Sequence, residues 1–430
     1  MLPFRIGIDF GTTNSSVARA TPRGVELVRF DHQAPSSRSI LYLEKAPQGI
    51  LSSTGPDAIS RYLAGHREGD RPGRLIQSLK SYLPSRTLSG TEVFGRPYSL
   101  EDLISRILTD LRQRAEKQFG HPVRTATVGR PVRFVGAETE EDDAFALSRL
   151  RAAFTRAGFE QISFEFEPLA AATAYQANIT QPETILIGDF GGGTSDFSLL
   201  HVHPNGERKV LGNAGLGFAG DAFDAKIVRK LISPALGSET FARGTQSVPA
   251  VPAWIYANLE RWHYLSFLRT RNVLELLKAA HRRAVEPEKV GFLQALIDED
   301  LGYQLHQAVQ RTKLELSQSE VAEFVFAGPD AGTLELQTTV RRLDFEEWIS
   351  PELVQIAATV DDLLVSTSIN PAEVDRVFLT GGTSFVPAVR RIFELRFPGR
   401  ITSGNEFTSV AQGLALSADG GGGGSPFAGR

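Results

Sequence analysis

The sequence predicts an α/β protein of two similar lobes, on three observations. The chain has 430 residues, more than one hydrophobic core usually spans. A strand–turn–strand unit occurs twice, at residues 6–20 and 185–202, each time as an apolar strand, an aspartate, a phenylalanine, glycine, threonine and a second strand. Amphipathic helices with a 3.6-residue period alternate with short apolar strands around these units. A duplication at this separation implies two lobes that face each other.

The elements follow in order. "FRIGIDF", "VARA" and "VELVRF" read as strands, and "RLIQSLKSYL" as a helix. "SLEDLISRILTDLRQRAEKQF" places Leu103, Ile107, Leu108 and Leu111 on one helical face, with Ser99 as N-cap ahead of Asp102. "RTATVGRP" is a strand stopped by Pro131. The next helix opens on acidic residues from Glu138 to Asp143, which suit the positive end of its dipole, and closes at Gly158. "ISFEFEPLAAATAYQAN" runs from strand into a small-residue helix. The Pro-, Gly- and Ser-rich stretch 233–252 reads as a loop, and helical patterns cover about 254–276 and 286–316. "VDRVFLTGG" is a strand ending in two glycines, "VPAVRRIFELRF" a helix, "FTSVAQGLALSA" a last short helix, and 419–430 a flexible glycine tail.

Composition narrows the functions. Hydrophobic residues make up 41% and charged residues 22%, ordinary for a globular protein. The absence of cysteine excludes thiol catalysis and cysteine metal clusters and favours the cytoplasm. A net charge of −4 gives no bulk attraction to nucleic acid. No secretory leader is expected ahead of the first strand, and no run of about twenty apolar residues predicts a membrane span.

The chemistry gathers at the two hairpins. Gly11 and Gly191 to Gly193 can bring backbone N–H groups close to phosphate oxygens, and Thr12, Thr13 and Thr194 add hydroxyl donors. One such hairpin is an ordinary tight turn; two, each preceded by Asp9 or Asp189, point to a phosphate site. Two carboxylates about 4 Å apart repel by about 4 kcal/mol at an effective dielectric near 20, and a hydrated magnesium ion removes that objection. "GLGFAG" (215–220) matches the dinucleotide pattern, but its helix runs into "SPALGSETFARGTQ" rather than a parallel strand, so a nicotinamide or flavin site is not expected. There is no G-x-x-x-x-G-K-[ST] loop.

In this order, "IGIDFGTTNSSVA", "FEPLAAATAY", "ILIGDFGGGTSDFS", "GFAGDAFD" and "LTGGTSFVPAVRRIF" resemble the motifs of the actin-like ATPase superfamily, above all the nucleotide-binding domain of DnaK-type chaperones. The resemblance runs from about Phe4 to Ala418. "GRPVRF", "EPEKVGFLQAL" and the helical insertion are closer to the stand-alone YegD-type branch. It implies an actin-like ATPase fold, with duplicated ribonuclease-H-like cores around a nucleotide cleft. Lobe I would be 1–183 with a helix at 405–418 returning to it, and lobe II 184–404 with the insertion at about 254–320.

The resemblance also implies roles. Asp9 and Asp189 position magnesium through water. Gly11, Thr12, Thr13, Asn14, Gly191, Gly192, Gly193 and Thr194 hold the phosphates of ATP or ADP. Lys80 reaches the γ-phosphate and the attacking water, which Glu167 and Asp196 orient. Gly220 and Asp221 close from the second lobe, Lys313 and Ser317 contact ribose and base, and Gly381, Gly382, Thr383 and Phe385 face the adenosine. Leu314 and Phe385 stand where the chaperones carry two cationic side chains that clamp adenine. The chaperones' linker and peptide-binding domain are not expected after the last helix.

The expected function is a slowly hydrolysing, magnesium-dependent ATPase that acts as a chaperone-like switch on a protein partner. A small-molecule kinase, a filament-forming relative and a nucleotide-binding pseudo-enzyme are the alternatives.

Overall fold

The structure is a computed structural model that describes residues 4–68, 73–176, 179–245, 247–261, 268–328, 335–402 and 408–417. The tail read at 419–430 lies outside the described residues. The chain forms two compact units: one of residues 1–219, 356–384 and 391–430, the other of 220–355 and 385–390.

The first unit contains the duplication as two sheets. In one, the strands run Gln161–Phe166, Thr125–Arg130, Arg5–Phe10, Asn14–Thr21 and Gly24–Leu27 in spatial order. In the other they run Ile401–Thr402, Arg376–Thr380, Glu183–Phe190, Ser195–Val202 and Arg208–Leu216. The orders are the same when each strand is matched to its counterpart. Each sheet has a central hairpin, a third antiparallel strand on one side and two parallel strands on the other. This is the actin-like ATPase fold.

The first central strand buries one apolar face, and the second buries apolar residues on both. Ile6, Ile8 and Phe10 are buried in the first, and Ile185, Leu186, Ile187 and Phe190 in the second. The helix Glu167–Gln176 and the last helix Ser409–Ser417 close one core, with Leu169, Ala170 and Ala172 against Ile185, Ile187, Leu200, Val410 and Leu414. Full burial of a side chain such as Leu414 contributes about 1.5–3 kcal/mol.

The expected helix Leu100–Phe119 carries a capping box between Ser99 and Asp102, and Glu140–Arg156 carries one between Thr139 and Asp142. Three helical expectations are corrected. "RLIQSLKSYL" is not a helix: Gly73–Gln77 pairs antiparallel with Ile40–Ala46, and Ser78, in a left-handed conformation at φ 54°, turns the chain into a 3-10 turn at Leu79–Tyr82. Strand pairing has overridden a helical pattern. The pattern at 254–276 is divided into Ala253–Leu259 and Arg271–Arg283. That at 286–316 is broken into Pro287–Asp298 and Gly302–Gln318, with Asp300 left-handed at φ 53° between them. Among the described residues no helix is long and apolar enough to cross a membrane.

Candidate nucleotide site

The two hairpin turns have one geometry. Gly11 N–H donates to the Asn14 carbonyl at 3.0 Å, and Gly191 N–H to the Thr194 carbonyl at 2.9 Å. Gly11, Thr12, Thr13 and Asn14 therefore correspond to Gly191, Gly192, Gly193 and Thr194. The two turns also approach each other. A Cβ at Gly193 would lie 3.9 Å from Thr12 Oγ1, 3.6 Å from Ser81 Oγ and only 2.7 Å from Val135 Cγ2. That last distance is too short for any side chain, so glycine is what lets the second turn sit there.

Asp9 and Asp189 are the penultimate residues of the central strands, each one phenylalanine ahead of its turn. Lys80 is 7% exposed on its 3-10 turn and donates from Nζ to Glu167 Oε1 at 2.7 Å. Glu167 opens the helix Glu167–Gln176 at the end of the strand Gln161–Phe166. It reaches Lys80 past Gly129, where a Cβ would lie 3.0 Å from Glu167 Cγ. Asp196 is buried opposite Asp189 across the second hairpin, and its Oδ1 accepts from Val132 N–H at 3.0 Å. Thr380 donates to Asp189 Oδ1 at 2.6 Å from the parallel neighbour strand.

The cluster carries excess negative charge. Burial, then Glu167, pushes Asp9 up to about 8, with Lys80 pulling it down and Asp189 pushing it up. Burial and Glu167 push Asp189 up to about 6, while the Thr380 hydroxyl and Lys80 hold it down. Burial, Glu167 and Asp189 raise Asp196 well above the usual carboxylate range. Burial lowers Lys80, but Glu167 and Asp9 outweigh it and hold the ammonium above its ordinary value. Such a set fits a divalent cation that brings charge compensation. Among the described residues no group of three or more acidic or histidine side chains could hold a metal ion.

The "LTGG" strand Arg376–Thr380 places Gly381 against the second hairpin. Gly381 is left-handed at φ 83°, and a Cβ there would collide with the Phe190 carbonyl oxygen. Gly382 and Thr383 begin the following 3-10 turn.

The remaining sequence-predicted residues lie in the second unit. Gly220 and Asp221 open the helix Gly220–Ile227, which leads into a π-turn at Val228–Ile232 and not a parallel strand. Lys313 Nζ pairs with buried Asp224 Oδ1 at 2.6 Å and donates to the Gly220 carbonyl at 3.2 Å. Ser317 Oγ donates to the Lys313 carbonyl at 3.0 Å. Leu314 and Phe385 are exposed.

Four contributors to the cluster were not assigned from sequence: Gly129, Thr380, Ser81 and the Val132 N–H. The signal for Gly129 is a glycine inside "RTATVGRP", which marks a close approach to a strand backbone. Thr380 carries no such signal, because threonine is an ordinary strand residue.

A duplicated sheet of this order, with an aspartate ahead of each glycine turn, defines the class of fold as actin-like. A model of the Hsp70 protein family matches residues 81–240 and 293–422, more than half of the chain, and the chain belongs to that family. Its relatives include the chaperone protein DnaK of Thermus thermophilus, 26% identical over 436 residues, covering 96% of this chain and 60% of that protein. DnaK of Mycoplasmopsis agalactiae is 25% identical over 395 residues, covering 90% and 54%. DnaK of Guillardia theta is 24% identical over 439 residues, covering 96% and 59%. The chain thus spans 54–60% of the length of these relatives.

Proposed function

We propose that this chain binds ATP with magnesium, hydrolyses it slowly and signals its nucleotide state to a protein partner, as a cytoplasmic chaperone-like switch. The observation that carries this is the buried Lys80–Glu167 pair at 2.7 Å, within the field of Asp9, Asp189 and Asp196 and beside two glycine turns. Phosphoryl transfer to water needs positioned charge rather than covalent chemistry, and this cluster supplies it.

In this reading Asp9 and Asp189 hold hydrated magnesium, which neutralises phosphate charge. The backbone and hydroxyls of Gly11–Asn14 and Gly191–Thr194 cradle the phosphates. Lys80 stabilises the charge that develops on the γ-phosphate, and Glu167 and Asp196 orient the attacking water. Gly381, Gly382 and Thr383 serve the adenosine, as does Phe385; Lys313 and Ser317 serve ribose and base, and Gly220 and Asp221 the closure that the resemblance implies. The functional lobes are 1–183 with the C-terminal helix, and 184–404. The helical insertion resembles the YegD-type branch and is the partner surface; it overlaps residues 241–292, which the family model leaves unmatched.

Calorimetry with ATP, ADP and GTP, with and without magnesium, paired with phosphate release, tests the reading. Magnesium-dependent ATP binding with slow basal release is expected. No binding of any nucleotide, or phosphate transfer only when a sugar or polyol is added, overturns it.

A further inference from the structure

Lys80 stands on an irregular segment. The 3-10 turn Leu79–Tyr82 follows left-handed Ser78, and two further turns follow it, Leu83 N–H to the Lys80 carbonyl at 3.2 Å and Ser85 N–H to the Tyr82 carbonyl at 3.0 Å. Such a segment leaves carbonyl oxygens without a ladder partner, and buried ones require donors.

Arg149 supplies those donors. It is 6% exposed on the helix Glu140–Arg156. Its Nη1 lies 3.4 Å from the carbonyl oxygens of Tyr82 and Leu83, 3.0 Å from that of Ser85 and 3.3 Å from that of Leu88; Nη2 also reaches Leu88 at 3.3 Å. Its Nε donates to Glu101 Oε1 at 2.5 Å, in the first turn of Leu100–Phe119. The pairing matters because a buried guanidinium without a carboxylate is strongly destabilising. A planar fork holds five donors in fixed directions, whereas an ammonium on a flexible stem offers three with no fixed orientation.

We propose that Arg149 is a positioning residue for Lys80. It ties the irregular segment 79–88 to two regular helices, so that Nζ stays at Glu167 and Ser81 stays beside Gly193. The proposal rests on the ATPase reading of Lys80, but the order it predicts in 79–88 can be measured without activity.

The test uses the full chain with Arg149→Met and Arg149→Lys, compared below their melting transitions. Amide hydrogen exchange should rise in 79–88 in both variants and stay unchanged in the outer turns of Leu100–Phe119. With ATP and magnesium, kcat should fall about 10- to 100-fold, as for a catalytic group displaced by about an ångström. KM should stay within about twofold, the pattern of an interaction made only in the transition state. Lysine should not restore kcat. In a Lys80→Ala background, Arg149→Met should cost nothing further, because both changes act through one ammonium. Unchanged exchange in 79–88, or the same fold loss of kcat in the Lys80→Ala background, overturns the proposal. If the wild-type chain shows no turnover, the ATPase reading fails and exchange in 79–88 alone decides whether Arg149 orders the segment.

Discussion

The first hairpin, Arg5–Phe10 with Asn14–Thr21, and the second, Glu183–Phe190 with Ser195–Val202, share a backbone and differ beside their aspartates. Across the hairpin, Asp9 faces Ser16, whereas Asp189 faces Asp196. On the parallel side, Asp189 faces Thr380, while Ile8 pairs with Val128, so that the next residue along, Gly129, stands beside Asp9. These two register positions divide the work between the copies. Where the second copy has a threonine that holds its aspartate, the first has a gap through which Glu167 reaches Lys80. Where the first has a neutral serine, the second has a further buried carboxylate. The two copies are equivalent frames, and the residues at these matched positions leave one of them beside the lysine pair and give the other the extra acid.

The comparison can be broken most severely at the lysine. Lys80→Ala or Asp189→Ala should lower ATP hydrolysis by about two orders of magnitude or more, as when transition-state electrostatics are lost. Phosphate release reads this, and unchanged turnover in both variants removes the site assignment. Lys80→Ala also leaves Glu167 buried without its counter-ion, so the double variant Lys80→Met, Glu167→Gln should melt higher than Lys80→Ala alone while remaining inactive.

Gly129→Thr installs in the first copy what the second has. Its Cβ would press on Glu167 Cγ and shift the carboxylate from Lys80, with about a tenfold or greater loss of kcat. Full activity in a folded Gly129→Thr chain would show that the gap is incidental.

The reverse change is smaller. Thr380→Val removes the hydroxyl that donates to Asp189 and should cost about 1–3 kcal/mol of stability at neutral pH, seen in denaturant unfolding. It should also move Asp189 upward from about 6 in a carboxyl NMR titration. No movement would detach the difference between the two aspartates from Thr380.

A further effect is in pH. Without magnesium, Asp9 and Asp189 titrate near about 8 and about 6 in the folded chain, above the ordinary carboxylate range that the unfolded chain retains. Between about pH 4 and about 8 the folded state therefore binds more protons, and stability falls as pH rises through that window. Melting curves in a chelator should shift down by a few degrees from about pH 5 to about 8, and magnesium with nucleotide should flatten the dependence. A flat profile in chelator would count against the buried charge excess.

Much of the site was legible because its demands are local. Strands that end on an aspartate, turns that need glycine and the repetition of both are written in consecutive residues, so 6–20 and 185–202 stand out without any fold. Lys80 was singled out by the resemblance alone, and its conformation was not legible. "RLIQSLKSYL" has an adequate helical pattern, and only the edge offered by Ile40–Ala46 makes Gly73–Gln77 a strand. Breaks inside the helical patterns after 253 escaped for a similar reason, since Asp300 signals no turn until its neighbours pack.

The sequence by itself determined the duplication, the apolar strands of each hairpin and the residue types at each turn, because periodicity and backbone sterics act over a few residues. The tertiary structure alone decided which residues meet. Glu167 finds Lys80 across 87 positions of chain, and Asp189 finds Thr380 across 191. Arg149 meets the carbonyls of 82–88 from another helix. Those pairings depend on sheet register and on space left by a missing Cβ, quantities set by the packing of distant segments and by no local pattern.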